Sequence, residues 1–205
     1  MEVLTGKERR SRQEFGSRPT RLSSAQSKEA AKKIEQISKQ VLMLINNSQE
    51  LLQKYLKYQG SPFGQPDLLP EPKKLTELPS PDLSKDVWLS LSDSERLRQN
   101  YVAYTFLTDF LSEVKSWQED LNPNASDLLE LLEKSAKQAL GLRSNVASVM
   151  KILSFPMPLV PPSPALDAST AFRKKLKGWS VCQQYQDWLH RTQRDITVLM
   201  QRYPL

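Results

Sequence analysis

One cysteine, Cys182, and one histidine, His190, are all that this 205-residue chain carries of either type. A lone cysteine excludes an intramolecular disulfide, so the fold cannot depend on an oxidising compartment. The two residues cannot build a His/Cys zinc cluster, and they leave little from which to make a nucleophile with its base. Glycine is scarce too, and Gly60 and Gly64 stand among prolines rather than in a phosphate-cradling loop. No apolar run approaches the ~18–20 residues of a membrane span, and residues 1–24 lack the apolar core of a secretory leader. These absences point away from an enzyme, a metal or cofactor carrier, and a membrane-inserted chain.

What is present suits one well-cored helical domain, since 39% of the residues are hydrophobic. The net charge of +6 is uneven: residues 1–33 hold nine Lys or Arg against four acids, which leaves the remainder almost neutral. Residues 1–24 read as a disordered basic arm and residues 25–205 as the folded domain. Binding to nucleic acid would need a contiguous basic surface, which an arm on a neutral body does not supply, so no nucleic-acid partner is expected. The contrasting reading is an intracellular helical adaptor or nucleic-acid binder that uses this arm.

The longest pattern lies at the end. Over residues 169–203, Phe172, Leu176, Trp179, Cys182, Tyr185, Leu189, Thr192, Ile196, Leu199 and Tyr203 recur in steps of three or four, one stripe down one helix. Cys182 falls on that stripe as a small hydrophobe. Arg173, Lys174, Lys175 and Lys177 crowd the first two turns, where the helix dipole disfavours cations. They are either a solvated basic face, with Phe172 folded onto the core, or a tip that docks onto a partner.

Earlier in the chain, Ile34, Ile37, Val41, Leu44, Ile45, Leu51, Leu52 and Tyr55 predict a helix over 27–58, interrupted only at 46–48. Residues 59–84 hold eight Gly or Pro and form either an ordered crossover or a linker; Leu68, Leu69, Leu75, Leu78, Leu83 and Trp88 suggest that it packs along the bundle. Ser92 and Glu95 are spaced as a capping box for a second helix ending near Trp117, with Leu97, Tyr101, Tyr104, Leu107, Leu111 and Val114 as its stripe. After a short break containing Pro123, a third helix carries Asp127 in its first turn and a stripe from Leu128 to Leu153. Residues 155–168 repeat the proline-rich crossover. Asn46 and Asn124 each open a glycosylation sequon, expected to be bare without passage through the secretory pathway.

Loop lengths then set the topology. A short connection makes neighbouring helices antiparallel, and a long one lets the next helix run parallel. The order long, short, long predicts an all-α, up-up-down-down four-helix bundle with two long crossover loops.

Three stretches resemble the interleukin-6-type cytokines, within the branch of ciliary neurotrophic factor, the cardiotrophins, neuropoietin and cardiotrophin-like cytokine. They are YLKYQGSPF at 55–63, VWLSLSDSERLRQNYVAYTF at 87–106, and FRKKLKGWSV at 172–181 with WLHRTQRDI at 188–196. The resemblance implies a long-chain cytokine bundle and a secreted, monomeric ligand that assembles receptors for JAK/STAT signalling. Members that engage the leukaemia inhibitory factor receptor carry Phe-x-x-Lys at the start of the last helix, and Phe172 and Lys175 match it. In the branch using ciliary neurotrophic factor receptor alpha, residues like Trp88, Arg191 and Asp195 contact that subunit. Arg191 and Asp195, four apart, share one helix face and read by themselves as a surface ion pair. The exposed faces of the first and third long helices would engage glycoprotein-130. The N-terminus departs from the leader-bearing relatives, which implies leaderless release or a start that is not the native one.

Overall fold

The computed structural model describes residues 22–65 and 72–205. The expected arm lies almost wholly outside these residues, as do Leu68 and Leu69. Five helices form: α1 Ser24–Gln59, α2 Lys85–Ser90, α3 Asp93–Leu121, α4 Ser126–Ile152 and α5 Ala171–Arg202. No strand occurs among the described residues.

Local chemistry sets the helix ends. α1 starts three residues before its apolar stripe suggests, because Ser23 and Gln26 exchange side-chain hydrogen bonds with each other's backbone N–H in a full capping box. It then runs unbroken through 46–48, where buried Ser48 donates its hydroxyl to the Ile45 carbonyl. Ser92 caps α3 as expected, but the reciprocal half of the box is absent: Glu95 turns instead to Arg98 and Gln99. α3 continues to Leu121, one turn past Trp117. The six-residue α2, capped by Ser84, was not legible in the sequence.

Four contacts establish direction. Gln40 near the middle of α1 accepts from Asn145 of α4, while Tyr58 at the end of α1 reaches Asp127 at the start of α4, so these helices are antiparallel. Asp93 at the start of α3 meets Tyr203 just past α5, and Gln118 at the end of α3 meets Gln59 at the end of α1. Thus α1 and α3 run one way, α4 and α5 the other. α1 and α3 each pack along both α4 and α5 rather than along each other, which is the up-up-down-down bundle.

The core follows the stripes: Ile34, Ile37, Val41, Leu44 and Leu51 of α1 meet Leu107, Leu111, Leu132, Leu142, Cys182, Tyr185 and Leu189, all buried. The first crossover inserts Leu75 and Leu78 into this core, and the second inserts Leu166, whose N–H donates to Glu113 of α3. Both crossovers are therefore straps along the bundle rather than tethers.

Candidate functional site

At the bundle end where α1 stops and α5 starts, the helices approach unusually closely. Gly178 is the reason: a Cβ built there would lie 2.1 Å from the Tyr55 hydroxyl, so only glycine lets α1 and α5 meet. The Tyr55 hydroxyl donates to the Lys175 carbonyl at 3.0 Å, and burial holds its pKa well above the usual phenol value. Beside it, Gln59 and Gln118 exchange amide hydrogen bonds at 3.0 and 3.3 Å. This end is thus held by neutral groups whose donors and acceptors satisfy one another.

From this base an aromatic chain leads outward. Trp179 is buried and meets the edge of buried Phe63 at 6.4 Å. Phe63 in turn packs on Phe172 at 5.8 Å, with the rings tilted by 55°. Phe172 itself is 53% exposed. Its inner face rests on the core residue Phe63 and its outer face meets solvent. Lys175 is half-buried, and its ammonium donates to the Gln59 carbonyl at 2.8 Å, one of the last carbonyls of α1 that have no intrahelical partner. Phe172 and Lys175 thus sit together, three residues apart on one side of α5, with the cation already engaged.

The opposite end is built from charge. Asp195 accepts four hydrogen bonds: Oδ1 takes the Trp88 indole N–H at 2.7 Å and Arg96 at 3.0 Å, and Oδ2 takes Asn100 at 2.9 Å and Arg191 at 3.0 Å. Arg96 also donates to the Trp88 carbonyl, and Arg191 to the Pro81 carbonyl and the Gln99 amide oxygen. Two guanidinium groups thus share one carboxylate, and neutral oxygens take up much of the remaining donor capacity. Behind them, Asn100, Thr192 and Tyr104 continue the network into the core.

This corrects the reading of Arg191 and Asp195 as a surface pair. They are 0% and 1% exposed. Sequence spacing placed them on one face but could not say that α3 and the first crossover cover that face. From there Asp195 holds the Trp88 indole, and Arg191 reaches it through Asp195. Trp88 is the member that reaches the surface, half-buried on α2, with Arg96 stacked over its ring at 4.7 Å and Arg194 at 5.7 Å. Val87 and Leu89, both about half exposed, flank it.

Several contributors escaped the sequence reading. Phe63 lies within the quoted 55–63 motif, immediately after the helix exit, and the aromatic in that turn was its only signal. Arg96 and Asn100 fall at helical spacing on the stripe side of α3, a pair of polar residues where apolar ones would be expected. On the sides of the bundle, Leu42 and Met43 of α1 and Leu140 of α4 are exposed apolar side chains on two helices that pack together.

Residues 24–204 match the family model described as "Plethodontid receptivity factor PRF". The chain is 35% identical to Cardiotrophin-2 of Mus musculus over 166 residues, which covers 79% of this chain and 80% of that protein. It is 35% identical to Cardiotrophin-1 of Mus musculus over 176 residues, covering 82% and 85%. With Ciliary neurotrophic factor of Sus scrofa it shares 28% identity over 157 residues, 73% of each chain.

Proposed function

The chain belongs to the plethodontid receptivity factor family, in the cardiotrophin and ciliary neurotrophic factor branch of the interleukin-6-type cytokines, and we propose that it is a secreted ligand for three receptor chains. It is a helical cytokine and not an enzyme. Its work is assembly: a rigid bundle holds receptor ectodomains so that their cytoplasmic kinases act on one another.

Phe172 carries this reading. A large apolar side chain kept half in solvent, with a buried aromatic beneath it, is the form of an interface anchor. Together with Lys175 it would engage the leukaemia inhibitory factor receptor. Trp88, with Val87 and Leu89 beside it, would meet ciliary neurotrophic factor receptor alpha. Arg191 and Asp195 act there as positioning residues that fix the indole from below, rather than as contacts. Leu42, Met43 and Leu140 are the apolar candidates for the glycoprotein-130 surface.

The test is signalling in cells bearing glycoprotein-130 and the leukaemia inhibitory factor receptor, with and without the alpha receptor. Because Lys175 also caps α1, Phe172→Ala alone is the cleaner variant, compared with Phe172→Ala/Lys175→Ala and Trp88→Ala. Both Phe172 variants should abolish the response in both cell lines. Trp88→Ala should remove only the enhancement given by the alpha receptor. A full response from Phe172→Ala, or silence from folded wild type, would overturn the assignment.

A further inference from the structure

The four cations at the start of α5 separate into two inward and two outward groups. Lys174 lies over the Trp117 ring at 6.0 Å, and Lys175 binds the Gln59 carbonyl, so these two are used by the bundle. Arg173 and Lys177 point elsewhere. One turn apart, they line a groove of about 430 Å³ whose other wall carries Lys73 from the first crossover. The Arg173 guanidinium donates a long bond to the Ser169 hydroxyl, and among the described residues no carboxylate pairs with Arg173, Lys177 or Lys73. Among the described residues, the one acid lining this groove is Asp167. Three cations face one carboxylate at a place where the helix dipole disfavours cations.

The groove continues. A second cavity of about 350 Å³ shares Pro72, Lys73 and Ser180 with it and runs on along α5 past Gln183 to Asp187, with the ion-paired Lys74 and Asp82 on its crossover side. The cationic stretch therefore ends at Lys73 and Lys74, and Asp82 and Asp187 bound it on the far side. It lies roughly a quarter-turn of the helix from Phe172, since successive residues advance about 100°.

We propose that this groove binds a sulfated polysaccharide, with Lys73, Arg173 and Lys177 holding its sulfates. The chemistry favours this polyanion over nucleic acid. Single strands are held by aromatic platforms on which bases stack, and no aromatic residue lines either cavity. Three cations contributed by two separate segments of the chain fit sulfates spaced along a linear polyanion better than one compact anion. The biological setting rests on the secreted-ligand reading; the binding does not.

The full chain is passed over immobilised heparin, over chemically desulfated heparin and over duplex DNA, at increasing salt. Heparin alone should retain it strongly. Arg173→Ala/Lys177→Ala should lower the slope of log affinity against log salt by about two, one for each lost cation. Lys28→Ala/Lys32→Ala removes the same charge from exposed positions near the start of α1, at the far end of the bundle, and should leave the slope within about half a unit. Equal loss in the two variants, no loss in the groove variant, or equal retention on DNA would overturn the proposal. Signalling is measured on the same preparations, and the groove variant should signal as wild type does in solution. If even wild type is silent, the receptor reading fails while heparin retention still decides this one.

Discussion

The two ends of the bundle solve the same problem with opposite materials. At the Phe172 end, a phenol, two amides and a glycine hold α1, α3 and α5 together, and the charged groups lie at the edge: Lys175 on a carbonyl, Asp127 half-exposed. At the Trp88 end, two guanidiniums and a carboxylate are fully buried and hold an indole in place. Neutral groups pack tightly and leave an anchor free to project. A buried ion cluster is costly to assemble, but it admits only one arrangement, so it fixes a six-residue helix that could not persist by itself. Strength of construction and exposure for binding are therefore divided differently at each end.

The sharpest way to break this contrast is Asp195→Ala. It leaves Arg96 and Arg191 buried without their shared counter-charge, and removing one partner of such a cluster costs about 3–5 kcal/mol. Denaturant unfolding should show that loss, and the fluorescence of Trp88 should shift as its N–H loses its acceptor. A loss under ~1 kcal/mol, in the range of exposed pairs, would mean the cluster is not dry in solution.

Next in size is Gly178→Ala at the neutral end. The new methyl would overlap the Tyr55 hydroxyl, whose ring is itself buried, so α1 and α5 must separate. Overpacking of this kind costs roughly 1–3 kcal/mol. Tyr55→Phe in the same chain should recover only part of it, because the ring carbon beneath the hydroxyl would still be 2.7 Å away. Full recovery would show that the hydroxyl alone sets the spacing.

These two sites also mark where the sequence could and could not be read. Apolar stripes and loop lengths were enough for four long helices and their directions, because periodicity reports which face is buried. They did not resolve buried polarity: Arg191 and Asp195 look like a solvated helix face, and the polar Arg96 and Asn100 on the stripe side of α3 find their meaning only once the tertiary partners are known. α2 was hidden because six residues after a proline-rich crossover offer too little period. Gly178 carried no local signal either, since its requirement comes from a residue more than a hundred positions away. Phe172 was legible through resemblance, but its exposure had to come from the packing of Phe63.

A smaller effect tests the edge charges of the neutral end. The Tyr58 hydroxyl donates to Asp127 at 2.6 Å and Lys54 pairs with it at 3.1 Å; the phenol bond first, then the ammonium, holds the carboxyl below its usual pKa. Since the folded-state pKa is the lower one, this contribution is present above the unfolded value of about 3.9 and is lost as pH falls through the folded value. Unfolding measured from about pH 5 down to pH 2 should show wild type losing stability relative to Asp127→Asn, which has no proton to take up there. Parallel profiles would mean that solvent already screens the group.

Phe172→Ala should disturb the fold least. The ring is half in water and its recorded core contact is with Phe63, so truncation should cost about 0.5 kcal/mol or less, as for most surface changes. Receptor affinity should nevertheless fall by about 2 kcal/mol or more, near thirtyfold, if the ring is an anchor. The two measurements must be made on one preparation, because their ratio is what matters. A residue that stabilises the bundle would lose both together. If unfolding shows a loss of 2 kcal/mol or more while receptor binding follows only the folded fraction, Phe172 belongs to the core of its end, and the contrast with the Trp88 end disappears.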